Sequence, residues 1–210
     1  MLANGDASLS ARGTLKDGRP EPSSFTSKIT SEGGSQDVTT AFDEGNVTEV
    51  TVTPPAGIGG LEVPEADRRG VLDPLTAMLV AADAASGDLS QDACRRTVPI
   101  FDGRQRYDLK LTFKRMDKVS AEKGYAGAVV VCGLTYQPIA GHRASKPLVK
   151  YLSHGREMEV VLAPVAGTRV LAPFGLSIGG TLASLVIWAS RFEATVQPPA
   201  APTNADPKPR

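Results

Sequence analysis

One stretch of the chain has the pattern of a catalytic motif. Residues 175–179, within the sequence GLSIGG, have the order G-x-S-x-G of a hydrolase nucleophile elbow, with Ser177 as the nucleophile. In that type of enzyme an acid and then a histidine come after the serine. Here both histidines, His142 and His154, precede Ser177, and the only later aspartate, Asp206, lies in a proline-rich tail. The order of residues therefore argues against a catalytic triad at this motif.

The residues around Ser177 favour a strand instead. The segment after Gly180 is rich in β-branched and aromatic residues, which are poor helix formers, whereas an elbow leads into a helix. We expect Leu176 and Ile178 to point to one side of a strand and Ser177 to the other. The pair Gly179-Gly180 would then turn the chain into the next strand.

His142 is the other candidate for chemistry. It lies in a loop after a predicted central strand, near Lys146 and Lys150, where it could act as a general acid or base or bind an anion. The alternative is a structural histidine held by hydrogen bonds. Neither histidine has the i+4 partner or the carboxylate cluster that a zinc site uses, so the sequence predicts no metal and no cofactor.

Four arginines flank the turn predicted at Asp102-Gly103, namely Arg95, Arg96, Arg104 and Arg106. They could hold a phosphate, a lipid headgroup or an acidic partner. Aspartates are interspersed among them, which favours a solvated hairpin tip.

The two cysteines, Cys94 and Cys132, match no metal or redox spacing. In an oxidising compartment they could pair and close a long loop. Otherwise they would be two buried free thiols that pack as small apolar side chains. The spacing alone does not decide between these alternatives.

Composition limits the partners and the class of fold. The 210 residues carry 23 basic and 23 acidic side chains, so the zero net charge disfavours nucleic acid and anionic membranes as partners. No apolar run reaches the length of a transmembrane helix. The chain starts without a visible secretory signal, which by itself would indicate the cytoplasm. Plentiful glycine and proline with few aromatics indicate short strands and many turns.

The expected elements are mostly strands. The first half predicts strands at residues 7–16, 23–30, 35–42 and 46–53, and a short amphipathic helix at residues 74–82 after the N-cap Asp73. The second half predicts strands at residues 98–101, 106–114, 125–137, 157–163 and 169–178, and a final long strand at 182–196. We expect one β-rich domain over residues 1–196 and a disordered proline-rich tail over 197–210.

Several motifs resemble a bacterial protein family, the domain of unknown function 3108 family. They are residues 69–77 (RGVLDPLTA), 94–109 (CRRTVPIFDGRQRYDL), 136–142 (YQPIAGH) and 162–169 (LAPVAGTR), and the resemblance runs from about residue 31 to 193. It implies an exported envelope protein with a curved antiparallel sheet and no established activity. Members usually begin with a signal peptide and a further strand. A periplasmic location would favour the disulfide between Cys94 and Cys132.

The fold class that we predict is mainly β: a curved antiparallel sheet or open β-barrel with the 74–82 helix packed on its concave side. A lipid or other apolar ligand would occupy the interior. The residues expected to line it are Tyr107, Leu109, Leu111, Phe113, Val130, Leu134, Tyr136, Val160 and Leu162, with His142 as a further binding candidate. Two alternatives remain: an enzyme acting on an anionic substrate through His142, and a structural or protein-interaction module with a fully packed interior.

Overall fold

The computed structural model describes residues 5–16, 18–32, 34–55, 61–82, 89–143, 145–153, 157–179 and 184–194. Over these ranges the protein is mainly β, with two antiparallel sheets and a single α-helix, α1 (Pro147–Ser153). Residues 197–210, where we expect a tail, and His154 lie outside the described residues.

The first sheet is an antiparallel meander of strands in chain order. It consists of β1 (Gly5–Lys16), β2 (Arg19–Ser31), β3 (Gly34–Asp43) and β4 (Asn46–Thr53). At the β3–β4 turn Glu44 and Gly45 both have positive φ, as a tight hairpin requires. The four strands expected at residues 7–16, 23–30, 35–42 and 46–53 are confirmed.

The second sheet is strongly curled and has seven strands. Its main path, from one edge to the other, is β12 (Leu185–Trp188), β11 (Val170–Ile178), β10 (Met158–Pro164), β9 (Ala126–Ala140), β7 (Arg106–Ser120) and β6 (Arg96–Phe101). The seventh strand, β5 (Val80–Ala81), pairs with β11. Two short strands, β8 (Lys123–Gly124) and β13 (Arg191–Phe192), form a separate parallel pair.

Both faces of the second sheet are covered at its centre. Alternate residues of β9 point to opposite faces, so Val130 and Cys132 join the core on the concave face, and Val129 and Val131 join a smaller core on the outer face. This agrees with a central strand that is apolar on both sides.

The two sheets meet around the turn between β6 and β7. Phe101, 1% exposed, packs with Phe25, Val38 and Phe42 of the first sheet. Gly103 lies so close to β3 that a Cβ atom there would be 2.2 Å from Val38 Cγ1. Gly103 at the tip of this hairpin is therefore buried and its neighbours are half-buried, and our expectation of a solvated tip is wrong because the first sheet packs against it.

The helix predicted at residues 74–82 is also wrong in length and type. Asp73 does cap the segment, since its Oδ1 accepts hydrogen bonds from the backbone nitrogens of Leu75 (2.9 Å) and Thr76 (3.0 Å). However, only the 3-10 turn Thr76–Met78 forms, and Val80–Ala81 then pairs with β11. Pairing with the open sheet satisfies the backbone there, so the apolar spacing does not continue as a helix.

The final strand expected at residues 182–196 is likewise shorter. In the described part of this range, β12 ends at Trp188, and the backbone nitrogen of Ala189 then donates to the carbonyl oxygen of Phe174. The chain turns at this point, and β13 pairs with β8 instead of with the second sheet. One long apolar run thus supplies two separate elements.

Candidate functional site

The concave face of the second sheet encloses an apolar cavity of about 450 Å³. Strands β7, β9 and β10 form its floor through Leu109, Leu111, Leu134, Val160 and Leu162. The cavity lies within the range of about 300–1,000 Å³ that is typical of ligand sites. No Lys, Arg, Asp or Glu side chain in the described ranges lines it. It is therefore suited to an apolar ligand.

The floor reflects the period of two along β7. Tyr107, Leu109 and Leu111 alternate with polar residues and point to the concave face, next to β6 and β9. Phe113, which we expected to line the same interior, lies outside the cavity and is 37% exposed. Strand β6 ends its pairing at Arg96, opposite Leu111, so Phe113 has no neighbour from β6 to enclose it.

The segment around the 3-10 turn covers one side of the cavity. Pro74, Ala77, Met78 and Val80 line the cavity from this side. Two small residues, Pro74 and Ala77, leave the space open, whereas long apolar side chains there would fill it. The segment that we expected to be a helix thus does pack on the concave face, as a 3-10 turn followed by a short strand.

The opposite wall comes from β11 and β12, which the sequence patterns did not assign to the site. Ile187 and Trp188 line the cavity, and each is 54% exposed. They therefore form part of its mouth. The feature of the sequence that could have assigned β12 to the cavity is its run of consecutive apolar residues. A strand with one solvent-exposed face alternates apolar and polar residues instead.

Three rings lie at the end of the cavity where β7 begins. The ring centroids of Tyr107 and Tyr136 are 5.3 Å apart, and those of Tyr136 and His142 are 5.8 Å apart in an edge-to-face arrangement. Of the three residues, only Tyr107 lines the cavity. Tyr136 and His142 support Tyr107 from behind.

His142 is held through both ring nitrogens. Nε2 lies 2.8 Å from the carbonyl oxygen of Arg106, and Nδ1 lies 3.0 Å from Tyr136 Oη. Because a carbonyl oxygen only accepts, Nε2 donates, and in the neutral ring Nδ1 accepts from the Tyr136 hydroxyl. No described carboxylate is within hydrogen-bond reach of the ring. The geometry is that of a structural histidine.

Burial perturbs the acidic groups around these rings. Burial and the nearby Asp102 carboxylate raise the pKa of Tyr136 to about 12. Burial also raises the pKa of Tyr107, and the charges of Asp102 and Asp73 add to this effect. Asp102 itself has a pKa raised by burial, although its carboxylate accepts hydrogen bonds from the backbone nitrogens of Arg104 and Gln105, which act in the opposite direction. Both tyrosines are neutral donors at physiological pH.

The four arginines do not converge on one site. Arg95 pairs with Asp92 (3.1 Å), and Arg106 pairs with Asp108 (2.6 Å). Arg104 donates to the carbonyl oxygen of Pro54, and Arg96 donates to that of Ala81. Each arginine thus ties a different part of the fold, and together they form no anion-binding cluster.

The two cysteines form a disulfide. The Cys94–Cys132 bond joins the 3-10 turn Gln91–Cys94 to β9, with a Cα–Cα distance of 5.3 Å, and both residues are fully buried. The sulfurs belong to the core on the concave face. Their spacing left open a disulfide or two free thiols, and the structure contains the disulfide.

Ser177 lies within β11 and is flanked by strands on both sides. It is opposite Glu159 of β10 and Val186 of β12, so no sharp turn presents its hydroxyl. Leu176 packs against the concave core, as expected for the alternation. β11 ends at Ile178, and Gly180 lies outside the described residues. The interpretation of Ser177 as a strand residue is confirmed.

Comparison with known families agrees with the motifs. The model of a family described as Protein of unknown function (DUF3108) matches residues 3–185. The chain belongs to this family. No curated protein and no solved structure matches it.

The described residues of this DUF3108 chain contain neither a membrane-spanning helix nor a metal site. No helix there is long and apolar enough to cross a membrane. No group of three or more His, Cys, Asp or Glu side chains in those ranges is placed to hold a metal ion. The apolar cavity is thus the feature on which a functional proposal can rest.

Proposed function

We propose that this protein is a non-catalytic binding protein that holds a lipid or another apolar ligand in the cavity of the second sheet. The observation that carries the proposal is the cavity of about 450 Å³ with its apolar lining. A core that serves only stability is packed without such space. This favours a binding role over a structural module with a fully packed interior.

The size of the cavity suits an acyl chain. Each buried methylene contributes about 0.8 kcal/mol, so ten of them would contribute about 8 kcal/mol. That is on the scale of micromolar affinity, from which the cost of ordering the ligand is subtracted. For a single chain of this length, micromolar affinity is therefore an upper limit.

We further propose that the protein works outside the cytoplasm, in the bacterial periplasm. The disulfide between Cys94 and Cys132 supports this location, because such bonds persist in oxidising compartments. The family resemblance, which implies an envelope protein, points the same way. Trapping free thiols with a maleimide reagent directly in cells tests the location: both cysteines should resist modification after denaturation without reductant.

The alternative of an enzyme acting through His142 gains no support from the geometry. Both ring nitrogens are engaged within the fold, by Tyr136 and by the backbone of Arg106. His142 also lies behind Tyr107 and does not line the cavity. A general base would need a free nitrogen facing the ligand.

The chain provides its own probe for binding. Trp188 is the only tryptophan, and it lines the cavity. A bromine atom on a bound acyl chain should quench its fluorescence, so titration with brominated fatty acyl compounds measures affinity. Native mass spectrometry of the purified protein, with lipid extraction, shows whether a ligand is carried from the cell.

A pair of variants makes this test specific. Ala77→Phe places a ring in the cavity and should abolish quenching. Ala126→Phe makes the same change at an exposed position of β9, away from the cavity, and should leave quenching unchanged. Absence of any bound lipid together with absence of quenching by acyl probes would overturn the proposal, and so would normal binding by a folded Ala77→Phe variant.

A further inference from the structure

The cavity contains a polar group that the fold does not satisfy. Of the described side chains that line it, only Tyr107 and Trp188 carry a nitrogen or oxygen atom. The Trp188 indole lies at the mouth, more than half exposed, and can reach water. Tyr107 lies at the other end, where β7 begins; no residue in the described part of the chain forms a hydrogen bond with its hydroxyl, which is accessible to water through the cavity.

A hydroxyl in this position has a physical consequence. A ligand that displaces water from this hydroxyl and offers no acceptor would leave the donor unsatisfied, at a cost of about 1–3 kcal/mol. The ring cannot turn away, because it packs against Tyr136 and lies edge-on to His142, with centroids 6.3 Å apart. A ligand that displaces the water should therefore supply the acceptor itself.

The surrounding charges restrict the nature of this acceptor. Asp73 is fully buried, and its Oδ2 has no hydrogen-bond partner among the described residues. The charges of Asp73 and Asp102 both act on the Tyr107 hydroxyl. Neither carboxylate lines the cavity, and no described cation lines it to pair with an anionic ligand. A carboxylate or phosphate at Tyr107 would be repelled, whereas a neutral oxygen would be accepted.

We propose that the cavity binds a neutral single-chain acyl ester, whose carbonyl oxygen accepts a hydrogen bond from Tyr107 and whose hydrocarbon chain runs toward Trp188. This inference rests on the proposed function and names the ligand class and its orientation. Tyr107 acts as a positioning and specificity residue for the polar end. The apolar floor between the two aromatic residues takes the chain.

The dimensions of the sheet fit this orientation. Tyr107 is on β7 and Trp188 is on β12, four strands away in the order of the sheet. With neighbouring strands about 4.8 Å apart, the path along the sheet is about 19 Å, and the curl of the sheet shortens the direct distance. Leu109, Leu134 and Val160 lie between the two ends.

The orientation can be tested with the fluorescence of Trp188. Methyl dodecanoate brominated at its terminal carbon should quench strongly, and the isomer brominated next to the ester should quench weakly at the same occupancy. Equal quenching by the two isomers, or stronger quenching by the second, would overturn the orientation.

The role of Tyr107 needs a matched pair of variants. Tyr107→Phe removes the hydroxyl and should weaken binding of the ester about tenfold, in line with the loss of one hydrogen bond. It should not weaken binding of a bromoalkane of equal length, which offers no acceptor to the hydroxyl. Tyr125→Phe is the control, since Tyr125 Oη donates to the carbonyl oxygen of Ala128 outside the cavity. Unchanged ester affinity in Tyr107→Phe would refute the assignment.

The preference of the cavity for a neutral over an anionic ligand is tested with dodecanoate, the anion that corresponds to the methyl ester. The wild type should bind the anion more weakly than the methyl ester. Asp102→Asn should narrow this difference in affinity, because it removes a nearby negative charge. The turn should keep its structure in this variant, since the amide oxygen can still accept the backbone hydrogen bonds of Arg104 and Gln105. Equal or tighter binding of the anion would overturn the neutral-ligand assignment. If instead neither the esters nor the bromoalkane binds, the proposed function itself fails, which is a separate outcome.

Discussion

Removal of the Cys94–Cys132 disulfide should cost a large share of the stability. The bond closes a loop of 38 residues. In the chain-entropy model a loop of this length is worth about 4 kcal/mol, through the restriction of the unfolded chain. We therefore expect the double variant Cys94→Ala/Cys132→Ala to lose about 4 kcal/mol of unfolding free energy. Typical domains have only about 5–15 kcal/mol in total.

Urea denaturation followed by circular dichroism measures this loss. With a slope of about 2 kcal/mol per molar urea, the midpoint should fall by about 2 M. The wild type unfolded and refolded in reductant should match the double variant, because both then lack the same constraint. In the native state reductant should act slowly, since both sulfurs are fully buried. A midpoint shift below about 0.5 M, or two titratable thiols in the denatured, unreduced protein, would refute the reasoning.

Three further substitutions test other parts of the structure. Gly103→Ala should destabilise by at least about 2 kcal/mol, since φ is +92° there and the new Cβ would clash with Val38; an unchanged melting temperature would contradict the packing of the two sheets. Asp102→Asn should stabilise at neutral pH. Burial raises the pKa of Asp102 in the folded state, so ionisation of this carboxyl disfavours folding. The gain in unfolding free energy of Asp102→Asn over the wild type should therefore be absent below the ordinary pKa of 3.8 and should grow as pH rises through the folded pKa. A gain that does not depend on pH would contradict this. Gly175→Ala should displace the Trp188 indole and shift the wavelength of its fluorescence emission. The control Ser177→Ala should leave the emission unchanged. Identical emission spectra of Gly175→Ala and the wild type would contradict the close contact between Gly175 and the indole.

Much of the fold was predictable because period-two alternation is a local signal. Along β7 the alternation of Tyr107, Leu109 and Leu111 with polar residues correctly identified the strand and its inward face. Cys94 and Cys132 could not be paired from spacing alone, because their proximity depends on how the 3-10 turn packs on β9.

The errors have a common cause, which is the competition between local and long-range pairing. Leu75, Met78 and Leu79 have helical spacing, but the next residues, Val80 and Ala81, pair with β11, whose position no local pattern reveals. The shallow placement of Phe113 likewise depends on where β6 ends. Local periodicity identifies which residues share an apolar face. It does not identify the strand or segment against which that face packs.

The first glycine of GLSIGG has a structural explanation that the motif does not contain. A register shift between Val161 and Leu162 leaves Phe174 as an extra residue in β11, which breaks the alternation. As a result Pro173, Phe174 and Gly175 all line the cavity. A Cβ on Gly175 would lie 2.7 Å from the Trp188 ring. Glycine is required here because the indole occupies that space as the wall of the cavity, so the residue that mimics a hydrolase motif helps to shape the cavity.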